Sequence, residues 1–180
     1  MESGEKEGFG KLLHYSLAGL EAGMLGGLAM LGWFFLVSLA NGEPAWRVPD
    51  LLGSTFYGDR AFDGNSKMVT VSGVALHLFT SGILGVLFGL FVREMRNYFR
   101  VALLGLILGL GWYYLSYAIV WKRLNPLIPL YSSYRSMLVA HFLFGAFLGG
   151  YPRCLRVLRR NSRQAQAEQE SIVRGEDVET

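Results

Sequence analysis

The stretch Met68–Val92, MVTVSGVALHLFTSGILGVLFGLFV, decides the fold class. It runs for about 25 residues without a formal charge, enough for a helix rising 1.5 Å per residue to cross a hydrocarbon core of about 30 Å. Its small residues fall on one stripe, Gly73, Ser81, Gly85 and Gly89, with His77 in the same row. Three more apolar spans lie around it, at 15–40, 101–121 and 131–151. Together they predict an all-α integral membrane protein, a four-helix bundle occupying 15–152.

Composition agrees with that reading. Of 180 residues, 52% are hydrophobic and 17% charged, against about 25% charged in a typical soluble domain. Most of the 23 glycines sit inside apolar runs rather than in turns, a habit of membrane helices. The net charge of +3 comes from basic residues placed beside the spans, so membrane lipids, not nucleic acid, are the expected partner. The one cysteine, Cys154, excludes an intrachain disulfide and a cysteine-rich zinc site, and no metal site is expected.

The flanking segments set the topology. Residues 1–14 form a polar N-tail, Lys6 and Lys11 against Glu2, Glu5 and Glu7, expected to be mobile. Ser38-Leu39-Ala40 would suit a signal-peptide cleavage site. However, the apolar run before it is about 24 residues against 7–15 for a signal core, and Glu21 interrupts it, so the span is read as retained. Loop 41–67 holds Trp46, Phe56 and Tyr57, rings suited to the headgroup level. Pro152 is expected to end the fourth span. Residues 153–180 read as a basic, then acidic tail, partly disordered, with Glu168, Glu170, Glu176, Asp177 and Glu179 at its end. The two tails and the 93–100 turn hold 11 Lys/Arg and the other two loops 6. The positive-inside bias therefore places both termini in the cytoplasm, with a bacterial inner membrane as the expected location.

An internal repeat is also legible. Leu31-Gly32-Trp33-Phe34-Phe35-Leu36 matches Leu110-Gly111-Trp112-Tyr113-Tyr114-Leu115, 79 residues later. Val48-Pro49 then matches Ile128-Pro129, and Ser54-Thr55-Phe56-Tyr57 matches Ser132-Ser133-Tyr134. Each half closes on a histidine and a small-residue row, His77, Ser81, Gly85 and His141, Gly145, Gly149. This predicts two related transmembrane hairpins in parallel orientation, related by an axis along the membrane normal.

Glycines at i, i+4 let helix backbones approach where lipid removes the hydrophobic drive for association. The expected packing positions are Gly19, Gly23 and Gly27, then Gly73, Ser81, Gly85 and Gly89, then Gly105 and Gly109, then Gly145 and Gly149. His77 and His141, about 12–15 Å deep at 1.5 Å per residue, are candidate axial ligands of haem b or of a chlorophyll-type pigment. The plainer reading bonds them to backbone carbonyls or to Ser81, Tyr113 or Ser116, with no cofactor. Glu21 is the intramembrane acid, expected to reach the interface or to pair with Arg96, Arg100 or Arg153. Arg153, Arg156, Arg159, Arg160 and Arg163 suit anionic lipid, and Cys154 beside them reads as an unmodified thiol, with palmitoylation as the alternative. Asp50, Asp59 and Asp63 match no calcium loop, and no nucleophile or phosphate-loop motif occurs, so an enzyme is not expected. The leading expectation is a non-catalytic accessory or packing subunit that self-associates or joins other membrane subunits through its glycine faces. A haem- or pigment-binding electron-transfer or light-harvesting subunit, and a small transporter or channel, are the alternatives.

Overall fold

The computed structural model describes residues 2–62, 67–93, 95 and 97–176, and the described residues are helical with no strand. In chain order the helices are α1 (Glu2–Ala40), α2 (Arg47–Tyr57), α3 (Lys67–Phe91), α4 (Tyr98–Leu115), α5 (Trp121–Leu124), α6 (Leu127–Tyr131), α7 (Tyr134–Leu148) and α8 (Tyr151–Glu176). A 3₁₀ turn, Gly58–Phe62, follows α2, and a π turn, Ser116–Val120, joins α4 to α5. Four helical rods are long and apolar enough to cross a membrane: Gly8–Ala40, Lys67–Phe91, Tyr98–Leu124 and Tyr134–Ile172.

Local chemistry explains the boundaries. Gly42 and Gly58, at φ +69° and +57°, take positive-φ backbone that favours glycine where α1 and α2 end. Asn97 caps α4, its side-chain oxygen accepting from Phe99 N at 3.0 Å and Arg100 N at 3.3 Å. That cap starts the third rod at Tyr98, three residues before the expected Val101. The fourth starts at Tyr134 rather than 131, because Tyr131 closes the short α6. Pro152 does not end it: α7 closes at Leu148, Pro152 sits in the first turn of α8, where a missing N–H costs nothing, and the rod runs on to Ile172.

Three segments read as tails or loop contain helix. Residues 2–14 continue α1. The 153–180 tail forms α8 through Glu176, which packs on α1 with His14 Nε2 2.8 Å from Ser162 Oγ. Leu155 and Leu158 press on the core from one side of α8 while the arginines stay on the other. Asp177 and Glu179 lie outside the described residues. The 41–67 loop contains α2, which docks on α3. Its docking is glycine-limited: a methyl on Gly73 would strike Pro49 O and one on Gly53 would strike Val69 O.

The close packings among the long rods are α1 with α3, α1 with α7 and α4 with α7. In the α1–α3 seam a methyl on Gly19 would strike Gly85 O, one on Gly23 the Ser81 carbonyl, and one on Gly89 would lie 2.6 Å from Tyr15 O. In the α4–α7 seam, methyls on Gly105 and Gly109 would lie 2.6 Å from Gly145 O and 2.5 Å from His141 O. All of these distances are inside van der Waals contact with backbone, which cannot swing aside. The seams set Gly23 opposite Ser81 and Gly85, and Gly105 opposite Gly145 and Gly149. Matched by contacts, α4 is therefore offset from α1 by 82 residues, not the 79 of the tryptophan motif. The two tryptophans accordingly do different work, Trp33 donating to Ser136 O across the α1–α7 contact at 3.0 Å.

Ala18, Ala22, Phe34, Phe88, Val101 and Phe144 belong to the buried core. The outward faces are equally apolar: Leu36, Phe79, Phe91 and Ile107 are 57–70% exposed. A surface of this kind is a liability in water and ordinary in lipid.

Candidate functional site

Where the two seams face each other the rods leave a cavity of about 70 Å³. Every long rod contributes to its wall: Met30 and Phe34 from α1, His77 from α3, Trp112 and Tyr113 from α4, His141 from α7. The π turn adds Ser116 and Tyr117. Such a turn widens a helix by one residue and recurs at functional sites; here Ser116 Oγ donates to Tyr113 O at 3.1 Å in the turn itself.

The histidines expected to share a depth do share this cavity. His77 Nε2 lies 3.0 Å from Gly27 O on α1, and His141 Nδ1 lies 2.8 Å from Met137 O one turn back on its own helix. A carbonyl oxygen only accepts, so each of these nitrogens is the protonated one in the neutral ring. The Tyr113 ring lies 5.3 Å from that of His141. Neither histidine bonds to Ser81, Tyr113 or Ser116 among the described residues. Two of those hydroxyls have other duties: Tyr113 reaches towards Tyr134 O at 3.5 Å, and Ser116 donates to Tyr113 O at 3.1 Å.

The floor on the loop side is held by a residue that sequence reasoning missed. Asn125, 4% exposed, donates through Nδ2 to Ser54 Oγ at 2.8 Å, Thr55 Oγ1 at 3.0 Å and Leu51 O at 3.3 Å. It ties the α5–α6 connection to α2 and so joins the loops of the two halves. Its only sequence signal is its place before Pro126, where a turn residue is ordinary. Met30 and Met137 were missed as well, since a methionine in an apolar helix reads as filler.

The remaining candidates lie apart from the cavity. The packing glycines lie in the seams already described; Gly27 lies against Ser81, whose Oγ a methyl there would approach to 2.8 Å, and Gly149 faces Ala102. Gly73 meets α2 rather than another long rod. Glu21 is exposed on α1 and has no ion pair among the described residues; Arg100 and Arg153 do not reach it, and Arg96 lies outside those residues. Arg153, Arg156, Arg159, Arg160 and Arg163 are exposed along α8. The Arg156 guanidinium stands 5.4 Å over the Tyr98 ring, and Arg159 stands at the same distance over Tyr15. Asp50 Oδ1 accepts from Thr70 Oγ1 at 2.5 Å, Asp59 is exposed, and Asp63 lies outside the described residues. No three His, Cys, Asp or Glu side chains cluster among the described residues.

Compared with known protein families, with characterised proteins and with solved structures, the chain matches none.

Proposed function

We propose that the chain is an integral membrane protein of two related hairpins with both termini cytoplasmic, working without catalysis as an accessory subunit in a larger membrane assembly. One observation carries the reading: four polar side chains inside the bundle spend their hydrogen bonds on holding its shape. Thr80 bonds Leu76 O, Ser116 bonds Tyr113 O, Tyr117 bonds Pro129 O, and Asn125 clasps the loops. The apolar outer faces support lipid contact. The seams also refine how partners would be met. Gly19, Gly23, Gly85, Gly105, Gly109 and Gly145 are used within the chain, so an assembly contact falls to the outward leucines and phenylalanines instead. Extraction in lipid nanodiscs followed by native mass spectrometry tests this. A complex, either of this chain with itself or with other membrane subunits, is expected; a lone monomer at every lipid-to-protein ratio overturns it.

A second reading is favoured by the convergence of His77 and His141 on one cavity, which makes the bundle a ligand-binding component. Backbone contact in both seams leaves room for a small occupant, and seating haem b or a chlorophyll-type pigment requires the rods to part. An absorption spectrum of the isolated protein distinguishes them, a Soret or red band marking the macrocycle.

A further inference from the structure

The cavity wall is rich in lone pairs and short of spare donors. The bonds to Gly27 O and Met137 O leave one unshared pair on each imidazole, at His77 Nδ1 and His141 Nε2. Neither of these nitrogens has a protein partner among the described residues. Around them the hydroxyls of Thr80, Ser116 and Tyr117 give their protons to carbonyls and keep only acceptor capacity. The Ser81 hydroxyl and the Trp112 and Trp121 N–H groups are the exceptions. An occupant that accepts electron pairs completes such a wall better than one that offers them.

Two thioethers complete the donor set. Met30, 4% exposed, and Met137, 8% exposed, line the same cavity. Met30 lies one turn from Gly27, the residue that orients His77. Met137 is itself the residue that orients His141. In metal sites a ligating histidine usually gives its second N–H to a carbonyl or carboxylate, which fixes the ring and its tautomer. Both histidines are held in this way before any ion arrives.

The chemistry of the set selects the ion. Thioether sulfur is soft and imidazole is borderline, a combination that suits Cu(I). No carboxylate lines the cavity to neutralise a second positive charge. The cost of taking an ion out of water rises with the square of its charge, so a monovalent ion is the one that neutral donors can hold in a low-dielectric interior. Aromatic faces at Trp112, Tyr113 and Phe144 add cation–π attraction.

We propose that His77, His141, Met30 and Met137 form a site for one Cu(I) ion in the centre of the bundle. The site stands independently of the accessory role, since a structural subunit and a copper carrier can both house it.

The test uses the full chain in detergent with Cys154→Ser, so that the thiol does not compete. It is loaded anaerobically with Cu(I) and challenged with a chromophoric Cu(I) chelator. One ion per chain is expected to survive the challenge, with nitrogen and sulfur scatterers in its X-ray absorption spectrum. The Met30→Leu/Met137→Leu pair conserves volume and so keeps the fold. It is expected to remove the sulfur signal and weaken binding by more than about tenfold, a loss that even an outer-shell change produces. His77→Ala and His141→Ala are each expected to abolish stoichiometric retention, with thermal unfolding of the apo protein as the check on folding. Failure of the parent protein to retain Cu(I) overturns the proposal. So does retention unchanged by the leucine pair, or a haem Soret band in the protein as isolated.

Discussion

The two glycine seams and the cavity between them obey opposite rules. In the seams, Gly85 and Gly109 face main-chain carbonyls, and no side chain can move to make room. In the cavity, large side chains such as Trp112, Phe144 and Tyr113 meet around open space. The difference shows that backbone contact along each seam and the open space between the seams arise together. Backbones pulled together in pairs leave the inward side chains of the two pairs to span the remainder. Dispersion contact is the available glue where water is absent, so a seam is rigid and a cavity is where a ligand can be accommodated.

That contrast can be broken most severely at Gly85. Gly85→Leu forces a branched side chain against the Gly19 carbonyl and the Gly23 backbone. The cost is expected to exceed about 3 kcal/mol, the usual upper range of overpacking, because backbone rather than a rotamer must yield. Loss of monodisperse protein on size exclusion, with a collapsed thermal midpoint in what remains, is the readout. A variant that behaves like the parent would mean α1 and α3 do not touch as described.

A smaller effect is expected where the cavity is closed. Asn125→Ala removes the Nδ2 contacts to Leu51, Ser54 and Thr55 and the bond that Oδ1 accepts from Leu127 N, and leaves the Ser54 and Thr55 oxygens without that donor inside the protein. About 1–3 kcal/mol is expected. Hydrogen exchange should quicken in α2 and α6 and stay slow in the two seams. Equal quickening everywhere would dissolve the distinction between a rigid pair and a separately held floor.

The least effect is expected at glycines that belong to neither region. Gly32 and Gly111 have no atom within 4 Å of where a methyl would sit. Gly32→Ala and Gly111→Ala are therefore expected to be neutral or to raise stability by up to about 1 kcal/mol through helix propensity. Melting curves beside Gly109→Ala, two residues away and inside a seam, sharpen the comparison. Destabilisation of similar size at 109 and 111 would show that glycine content, not seam geometry, governs the bundle.

The four rods were legible from apolar length, and the stripe Gly19, Gly23, Gly27 from its four-residue period. Counting along the spans also paired His77 with His141, and both line one cavity. Other features escaped because their cause lies far away in the chain. Helix α2 has ordinary loop composition, with a proline and a glycine inside it, and holds its shape by docking on Gly73. Helix α8 is too polar to announce burial, yet α1 is long enough to offer it a partner. Asn125 gains its importance only from acceptors 70–74 residues earlier.

The amino-acid sequence by itself determined that the chain is helical, that four rods carry long apolar runs, and which stripes on them lack side chains. Those properties are local, set by composition and by a period of 3.6. Which stripe meets which, and that two histidines and two methionines end up around one space, was decided by the tertiary structure. Contact between distant segments depends on the whole set of backbone clashes being avoided at once, and no single segment carries that information.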